Sequence, residues 1–265
     1  MAELKRLRPQ SASSMARYDI RTPRLYTDSP LGAGMTVALE QPQTHYVLHV
    51  MRLTAGDCVL LFNGRDGEWR ARLENPGKRS VSAQLEERTR SQTAPGDLHY
   101  WFAPLKHSRL DYMAQKAVEM GAARLQPVIT RHTRAARVNL DRMRANAAEA
   151  AEQCGILTLP EIDAPADLEQ ALSRREPSRL LVFCDEDAQV QDPLAALQQV
   201  RGQQAGAIPL ALLIGPEGGF AEDERAMLLR APNVLRLALG PRILRADTAA
   251  VAALALVQAV LGDWR

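Results

Sequence analysis

The pattern of hydrophobic and polar positions changes along the chain near residue 97. Between residues 35 and 87, short apolar stretches alternate with polar residues and turn signals, which is typical of β-strands. Beyond residue 97, short apolar runs alternate with stretches in which apolar residues recur every three or four positions. The second pattern predicts buried strands between amphipathic helices, and therefore an α/β domain with a mainly parallel sheet.

The first segment is predicted to be a compact, β-rich module. Its strands are expected at 35–39, 58–62, 68–73 and 80–85, with a short helix at 42–51 that has Pro42 in its first turn. Several short strands and one helix suggest a small barrel. The polar stretch 86–96 ends in Ala-Pro-Gly, which predicts a linker.

The second segment is predicted to alternate strands and helices. Strands are expected at 98–105, 125–130, 179–185, 208–214 and 234–239, and helices at 109–120, 140–153 and from near Ala221. The last stretch, 248–261, is apolar nearly all round, so we expect burial in the core or against a partner subunit.

Two of the predicted strands run into Gly-Pro loops. The first strand ends at Ile214 and continues as Gly-Pro-Glu-Gly-Gly, and the second ends at Leu239 and continues as Gly-Pro-Arg. Glycine lacks a Cβ, so a ligand can approach the main chain closely. Ligands of parallel sheets bind at the carboxyl ends of strands. Each loop alone could be a plain turn, but together they predict a main-chain pocket.

The residues around the first loop indicate what the pocket holds. The loop has neither the G-x-G-x-x-G spacing of dinucleotide folds nor the Gly-Lys-Ser/Thr of a phosphate loop. Glu222, Asp223 and Glu224 occupy the first turn of the following helix and would repel a phosphate. A neutral or cationic ligand fits better.

Charge and cysteine usage narrow the class of protein. The formal net charge of +2 hides an asymmetry, because the chain carries fourteen Lys and Arg against ten Asp and Glu through Gly96. The basic segment is the better candidate for nucleic-acid binding. Cys58, Cys154 and Cys184 form no C-x-x-C pair, which favours a reducing compartment, and we expect a cytoplasmic protein.

No metal site and no membrane segment are predicted. His45 and His49 have a metal-compatible spacing but lack an evident third ligand, so we expect surface or packing roles. Residues 1–14 are polar and basic, without the apolar core of a signal peptide, and are predicted to be a disordered extension.

The loop sequences resemble one known family. The blocks 214–219 and 239–248 are similar to the signature of the RsmE family, the 16S rRNA uridine N3-methyltransferases of the SPOUT class. Further blocks agree in order and spacing: Pro-Arg at 23–24, His-Val-Met-Arg at 49–52, Lys-Ala-Val-Glu-Met-Gly at 116–121 and Glu-Ala-Ala-Glu-Gln-Cys-Gly at 149–155.

This resemblance implies a fold and a set of partners. The fold would be a PUA-like RNA-binding β-barrel at 15–90 followed by a SPOUT methyltransferase domain at 97–265, with a trefoil knot near its end. The ligand would be S-adenosyl-L-methionine, a sulfonium cation without phosphate. The partners would be 16S rRNA or the 30S subunit and a second copy of the chain, with no metal and no membrane.

The loops and the resemblance together give candidate site residues. Methylation of uracil N3 requires a proton acceptor and help for the developing anion, so the catalytic candidates are Arg245, Asp247 and Glu217. Candidates for cofactor binding are Leu213, Ile214, Gly215, Pro216, Gly218, Gly219, Leu239, Gly240, Arg242, Ile243, Leu244 and Ala246. Candidates for RNA binding are Arg24, Arg52, Arg70, Arg72 and Arg131, with Arg65, Lys78 and Arg79 on the same basic module.

Several candidates have simpler interpretations. Asp247 could be only the N-cap of the last helix, and Arg245 only a surface charge. Arg70 and Arg72, two residues apart, could be an ordinary solvated strand face. Arg242 could contact either RNA phosphate or a carboxylate of the cofactor.

The chain departs from the family pattern at three places. Ile156 stands where an Arg usually follows Glu-Gln-x-Gly, and the acid of Ala246-Asp247-Thr248 is one methylene shorter than the usual Glu. Thr-Arg-His at 130–132 replaces Thr-Glu-Arg; if this stretch is extended, the strong cation has moved to the opposite face.

Two other functions compete with a methyltransferase. A nucleotide-dependent enzyme on an ordinary doubly wound sheet would need a phosphate cradle, which the loops lack. A noncatalytic RNA-binding scaffold would be expected to have a damaged cofactor loop, whereas both loops are intact.

Overall fold

The computed structural model describes residues 21–74, 80–106, 108–134, 137–189, 192–203 and 206–264. The chain divides into two compact units: the first contains the described residues through Phe62 and Asp66–Ser91, and the second contains Asn63–Arg65 and the described residues from Gln92 onward. The predicted extension at 1–14 lies outside the described residues, as do Lys78 and Arg79.

The first unit is a five-stranded sheet with one short helical segment. Its strands are β1 (Arg24–Tyr26), β2 (Thr36–Ala38), β3 (Cys58–Phe62), β4 (Glu68–Glu74) and β5 (Ser82–Arg90). They pair in the order β1-β3-β4-β5-β2, with β1 parallel to β3 and the other pairs antiparallel. The helix α1 (Gln41–His45) continues as a π-helical turn, Tyr46–Val50. Alternate residues such as Val59, Leu61, Ala83 and Leu85 form the core.

The predicted linker begins later than expected. Strand β5 continues to Arg90, so the assignment of 86–90 to a linker is wrong. Glu87 and Arg88 pair with Arg70 and Trp69 of β4, and this ladder satisfies their main-chain groups despite their polar side chains.

The second unit is an α/β domain, as predicted. Its strands are β6 (Leu98–Phe102), β7 (Ala122–Ile129), β8 (Glu161–Ile162), β9 (Ala166–Asp167), β10 (Leu180–Cys184), β11 (Leu210–Ile214) and β12 (Val234–Leu237). Its helices are α2 (Ser108–Glu119), α3 (Leu140–Cys154), α4 (Leu168–Arg174), α5 (Pro193–Gln203), α6 (Glu222–Arg230) and α7 (Ala246–Val260). The sheet order is β12-β10-β11-β6-β7-β8, with β9 beside β7, and every pairing is parallel.

The central strands of this sheet are buried on both faces. All five residues of β11 are buried, which is why its sequence is a continuous apolar run without alternation. Phe183 and Leu213 pack with Phe220 and Leu228 of the following loop and helix. Because the strands are parallel, their carboxyl ends meet at one edge of the sheet, and both Gly-Pro loops start there.

The terminal helix α7 buries one face rather than all of its surface. Ala250, Leu254 and Val257 are buried, and the helix packs on α2, α5 and β11. Val251 and Leu256 are only half-buried. The trefoil knot and the association of two copies remain predictions.

The described residues contain neither a membrane-spanning helix nor a cluster of metal ligands. No helix in the described ranges is both long enough and apolar enough to cross a bilayer. Within those ranges, no three His, Cys, Asp or Glu side chains are grouped as metal ligands.

Candidate functional site

A cleft of about 480 Å³ opens at the carboxyl ends of β10, β11 and β12. Twelve of the predicted site residues line it: Ile214, Gly215, Pro216, Glu217, Gly218, Leu239, Gly240, Arg242, Ile243, Leu244, Arg245 and Ala246. The two Gly-Pro loops, 25 positions apart in sequence, therefore form one site.

The structure also adds residues and places some predicted ones elsewhere. Cys184, Asp185 and Glu186 line the cleft from the end of β10, and Ala238, Pro241 and Ala249 complete the lining. The signal that could have found the first three is their position at the carboxyl end of a predicted parallel strand. Leu213, Gly219 and Asp247 are not among the lining residues, and Leu213 is fully buried within β11.

Glycine is required at the start of the first loop. A Cβ on Gly215 would lie 2.8 Å from Cζ of Phe220, whose ring is buried edge-on against Phe183. The ring cannot move without disturbing the core. Gly219 has a φ of 68°, and its N–H donates to the oxygen of Pro216 at 3.0 Å, which closes the turn.

The segment that follows β7 contacts the first Gly-Pro loop and stabilises it. The ring Nδ1 of His132 lies 3.0 Å from the oxygen of Gly218 and 3.1 Å from that of Gly219, so it donates when Nδ1 carries the proton. The N–H of Arg131 donates to Glu224 at 2.7 Å, and its guanidinium pairs with Asp223 at 2.5 Å. Since Arg131 and His132 form a turn, the extended conformation considered for 130–132 is wrong.

The β10 wall of the cleft is held by a buried ionic cluster. The fully buried carboxylate of Asp185 accepts from Arg225 at 2.9 Å and from Arg236 at 2.7 Å, which ties β10 to α6 and β12. Both arginines compensate the cost of burying this charge. Burial raises the pKa of the Cys184 thiol to about 12, so the sulfur is neutral at physiological pH.

Arg109, at the start of α2, connects the first Gly-Pro loop to the first turn of α7. Its Nε and Nη2 each lie 3.1 Å from a carboxylate oxygen of Asp247, and its Nη1 bonds to Glu217. The hydrogen bonds from Arg109 hold the pKa of Asp247 below its usual range. Asp247 is therefore ionised and a weak proton acceptor, and Arg245 rather than Asp247 occupies the N-cap position of α7.

Ile156 follows Gly155, which ends α3 with a φ of 72°. The side chain is half-buried, and the N–H donates to the oxygen of Ala151 at 3.1 Å. This residue continues a C-terminal helix cap.

The candidate RNA-binding residues of the first unit differ in accessibility. The Arg24 side chain is 7% exposed, pairs with Glu68 at 2.7 Å and stacks over Phe62, which argues against direct phosphate contact. Arg70 and Arg72 are exposed on one face of β4 and pair with Glu87 at 2.7 Å and Glu86 at 2.5 Å. The Arg52 side chain is exposed, and its backbone has a left-handed φ of 56°.

Comparison with known proteins identifies the family. A family model described as an RNA methyltransferase domain matches residues 92–258, and one described as an RNA methyltransferase PUA domain matches residues 39–86. A ribosomal RNA small subunit methyltransferase E from Rickettsia conorii is 30% identical over 236 residues, which are 89% of this chain and 94% of that protein. The chain belongs to the RsmE family of RNA methyltransferases.

Two solved methyltransferase structures are similar to the chain over nearly its full length. The ribosomal RNA small subunit methyltransferase E of Neisseria gonorrhoeae, bound to S-adenosyl methionine, has a TM-score of 0.80 and 26% identity, covering 92% of this chain and 100% of that one. A methyltransferase of Legionella pneumophila, also in complex with S-adenosyl methionine, has a TM-score of 0.73 and 28% identity, covering 90% and 98%. The PUA-like module followed by an α/β methyltransferase domain is thus confirmed.

Proposed function

We propose that this RsmE-family enzyme transfers the methyl group of S-adenosyl-L-methionine to N3 of a uridine in 16S rRNA. The observation that carries the proposal is the cleft formed by the two Gly-Pro loops at the carboxyl ends of three neighbouring parallel strands. The RsmE proteins of the comparison support the RNA substrate, and two of the similar structures hold this cofactor.

The residues of the cleft fit S-adenosyl-L-methionine. A volume of about 480 Å³ is within the range of small-molecule sites. Ile214, Leu239 and Ile243 supply apolar walls, and the glycine loops leave main-chain groups accessible to hydrogen bonding. The exposed carboxylate of Glu186 can attract the sulfonium, and the exposed Arg242 on the second loop can pair with the carboxylate of the cofactor. When bound, the cofactor supplies an electrophilic methyl group on a sulfonium.

The chain must also remove the N3 proton and orient the base. Arg109 bonds to both carboxylates, but only Glu217 lines the cleft, with a side chain that is 46% exposed, so it is better placed than Asp247 to accept a proton. Asp247 positions Arg109 instead. Arg245 is exposed and lines the cleft, so its charge can stabilise the anion that develops on uracil.

We also infer the oligomeric state of the enzyme, its substrate and the compartment in which it acts. The half-buried apolar residues Val251 and Leu256 of α7 would be covered by a second copy of the chain, giving a homodimer. The substrate is 16S rRNA, free or within the 30S subunit, in the cytoplasm. A noncatalytic scaffold is disfavoured because the cofactor cleft is complete.

Nucleoside mass spectrometry tests the reaction. Purified protein, S-adenosyl-L-methionine and small-subunit RNA without the modification should yield N3-methyluridine, at the same rate with and without chelator. The rate should rise with pH through the neutral range, because loss of the N3 proton limits reactivity. A methyl group on a carbon or a ribose hydroxyl would contradict the proposal.

A further inference from the structure

A second cavity, of about 480 Å³, opens at the same edge of the sheet as the cofactor cleft. Its walls come from the loop after β6, the loop after β7 and the first turns of α2 and α3. Four cationic side chains line it, Lys106, Arg134, Arg137 and Arg142, and the one carboxylate in the lining is that of Asp111.

The single carboxylate neutralises only one of these cations. Arg142 donates to Asp111 at 2.9 and 2.6 Å, and Asn146 donates to the same carboxylate at 2.8 Å. Within the described part of the chain, no hydrogen bond or ion pair engages the side chains of Lys106, Arg134 or Arg137. Three unpaired positive charges around one cavity repel each other, and a polyanion would relieve that repulsion.

The cavity lies close to the cofactor cleft, and the same segments of the chain contribute to both. Strand β6 lies between β11 and β7, so the ends of β11 and β7 are roughly 10 Å apart. The segment that carries Arg134 also carries His132, which braces the first Gly-Pro loop. On α2, Arg109 bonds to Glu217 of the cleft, and Asp111 lines the cavity. A nucleotide chain with its target base in the cleft can reach the cavity within a nucleotide or two.

We propose that this basic cavity binds backbone phosphates of the RNA strand that flank the target nucleotide. The proposal rests on the proposed function, since it names where the RNA of that reaction is held. Arg134 and Arg137 make the main phosphate contacts, because guanidinium groups match phosphate geometry and both are exposed and unpaired by described residues. Free phosphate would match the same charges, but the cavity lies beside a cleft assigned to an RNA-modifying reaction.

The experiment compares three full-length double variants. Arg134→Gln with Arg137→Gln removes the two charges, whereas Arg134→Lys with Arg137→Lys retains them. Arg201→Gln with Arg230→Gln, near the ends of α5 and α6, changes the net charge equally at the opposite edge of the sheet. Affinity for a 16S rRNA transcript is measured across a salt series, and affinity for S-adenosyl-L-methionine is measured by calorimetry.

The charge-removing variant should bind RNA more weakly and with less salt dependence. Each phosphate contact contributes roughly 0.7 to 0.9 to the slope of log affinity against log salt, so two lost contacts flatten it by about 1.4 to 1.8. At 0.15 M salt this corresponds to about a 15- to 30-fold loss of affinity relative to a 1 M reference. The lysine and control variants should keep the slope, and all three should keep cofactor affinity.

Different results would overturn different conclusions. An unchanged slope and affinity in the charge-removing variant, or an equal loss in the control, would refute RNA binding in this cavity while wild-type methylation stands. Inorganic phosphate binding that disappears in the variant, with RNA binding intact, would assign the cavity to a free anion. Failure of the wild type to form N3-methyluridine would refute the proposed function independently.

Discussion

Replacing Arg109 with methionine should destabilise the second unit in a pH-dependent way. The substitution keeps an unbranched apolar stem and removes the guanidinium that joins Glu217 to Asp247. The carboxylates of the first loop and of the first turn of α7 would then lose their shared cation. The loops are predicted to remain folded, because Phe220, His132 and the Asp185 cluster hold them separately.

The exposure of the three groups sets the size of the effect. Hydrogen bonds to charged groups contribute about 1.5 to 3 kcal/mol, and solvent-exposed ion pairs about 0.2 to 1 kcal/mol. The side chains of Arg109, Asp247 and Glu217 are 31%, 21% and 46% exposed, so screening places this cluster between the two figures. We expect a loss of about 1 to 2 kcal/mol, or a decrease in Tm of roughly 2 to 8 °C for a unit of this size.

The pH dependence follows from Asp247. Its folded-state pKa lies below the ordinary value of 3.8 because Arg109 stabilises the ionised form. The stabilisation is therefore fully present above the unfolded-state pKa and is lost as the pH falls through the lower, folded-state pKa. Scanning calorimetry of wild type and variant between pH 7 and pH 3 should show a constant difference in Tm that shrinks below about pH 4.

A matched control separates this effect from general charge loss. Arg144 pairs with Asp141 on the surface of α3, where the two side chains are 56% and 94% exposed. Arg144→Met should therefore change stability by less than about 0.5 kcal/mol at any pH. A Tm difference for Arg109→Met that is absent at pH 7, or that persists unchanged at pH 3, would refute the assigned role of the Arg109–Asp247 pair.

Four further predictions concern the cofactor, the assembly and the RNA. Gly218→Val should abolish binding of S-adenosyl-L-methionine in calorimetry while the fold persists, because a Cβ there lies 3.3 Å from Cβ of His132 and a branched side chain would displace the loop; unchanged affinity would place the site elsewhere. Light scattering at micromolar concentration should show a dimer, and a monomer would contradict the role given to α7. Neutralising Arg70 and Arg72 together should flatten the salt dependence of RNA binding by one to two units if both reach phosphates, whereas an unchanged slope would leave them as partners of Glu87 and Glu86 only. A fragment starting near Pro95 should keep cofactor affinity and lose RNA affinity.

Much of the fold could be predicted because local pattern and tertiary environment agree. Strand β11 is a continuous apolar run in the centre of a parallel sheet, and α3 has a regular apolar face with Gly155 as its left-handed cap. Helices α4 and α5 were not predicted. α5 has only Leu197 fully buried, so its sequence carries little helical periodicity.

The cleft was predictable to the extent that it is built from main chain. Gly-Pro sequences reveal where a backbone turns and where a ligand can approach, so both loops were found from local sequence alone. The β10 contribution was missed because Asp185 and Glu186 follow an ordinary buried strand without glycine or proline. Their position beside the loops follows only from the order β12-β10-β11, which places β10 between the two loop-bearing strands.

Arg109 shows why side-chain clusters of the site escape sequence reasoning. It lies 138 positions before Asp247 and 108 before Glu217, and its own neighbourhood looks like the unremarkable start of an amphipathic helix. The three residues meet because β6 is the neighbour of β11, so that α2 begins beside the first loop, and because α7 returns across α2. The charge arrangement in the site is thus a property of the strand order. Replacing Arg109 would leave the apolar pattern of α2 intact, yet Glu217 and Asp247 would lose the cation that they share.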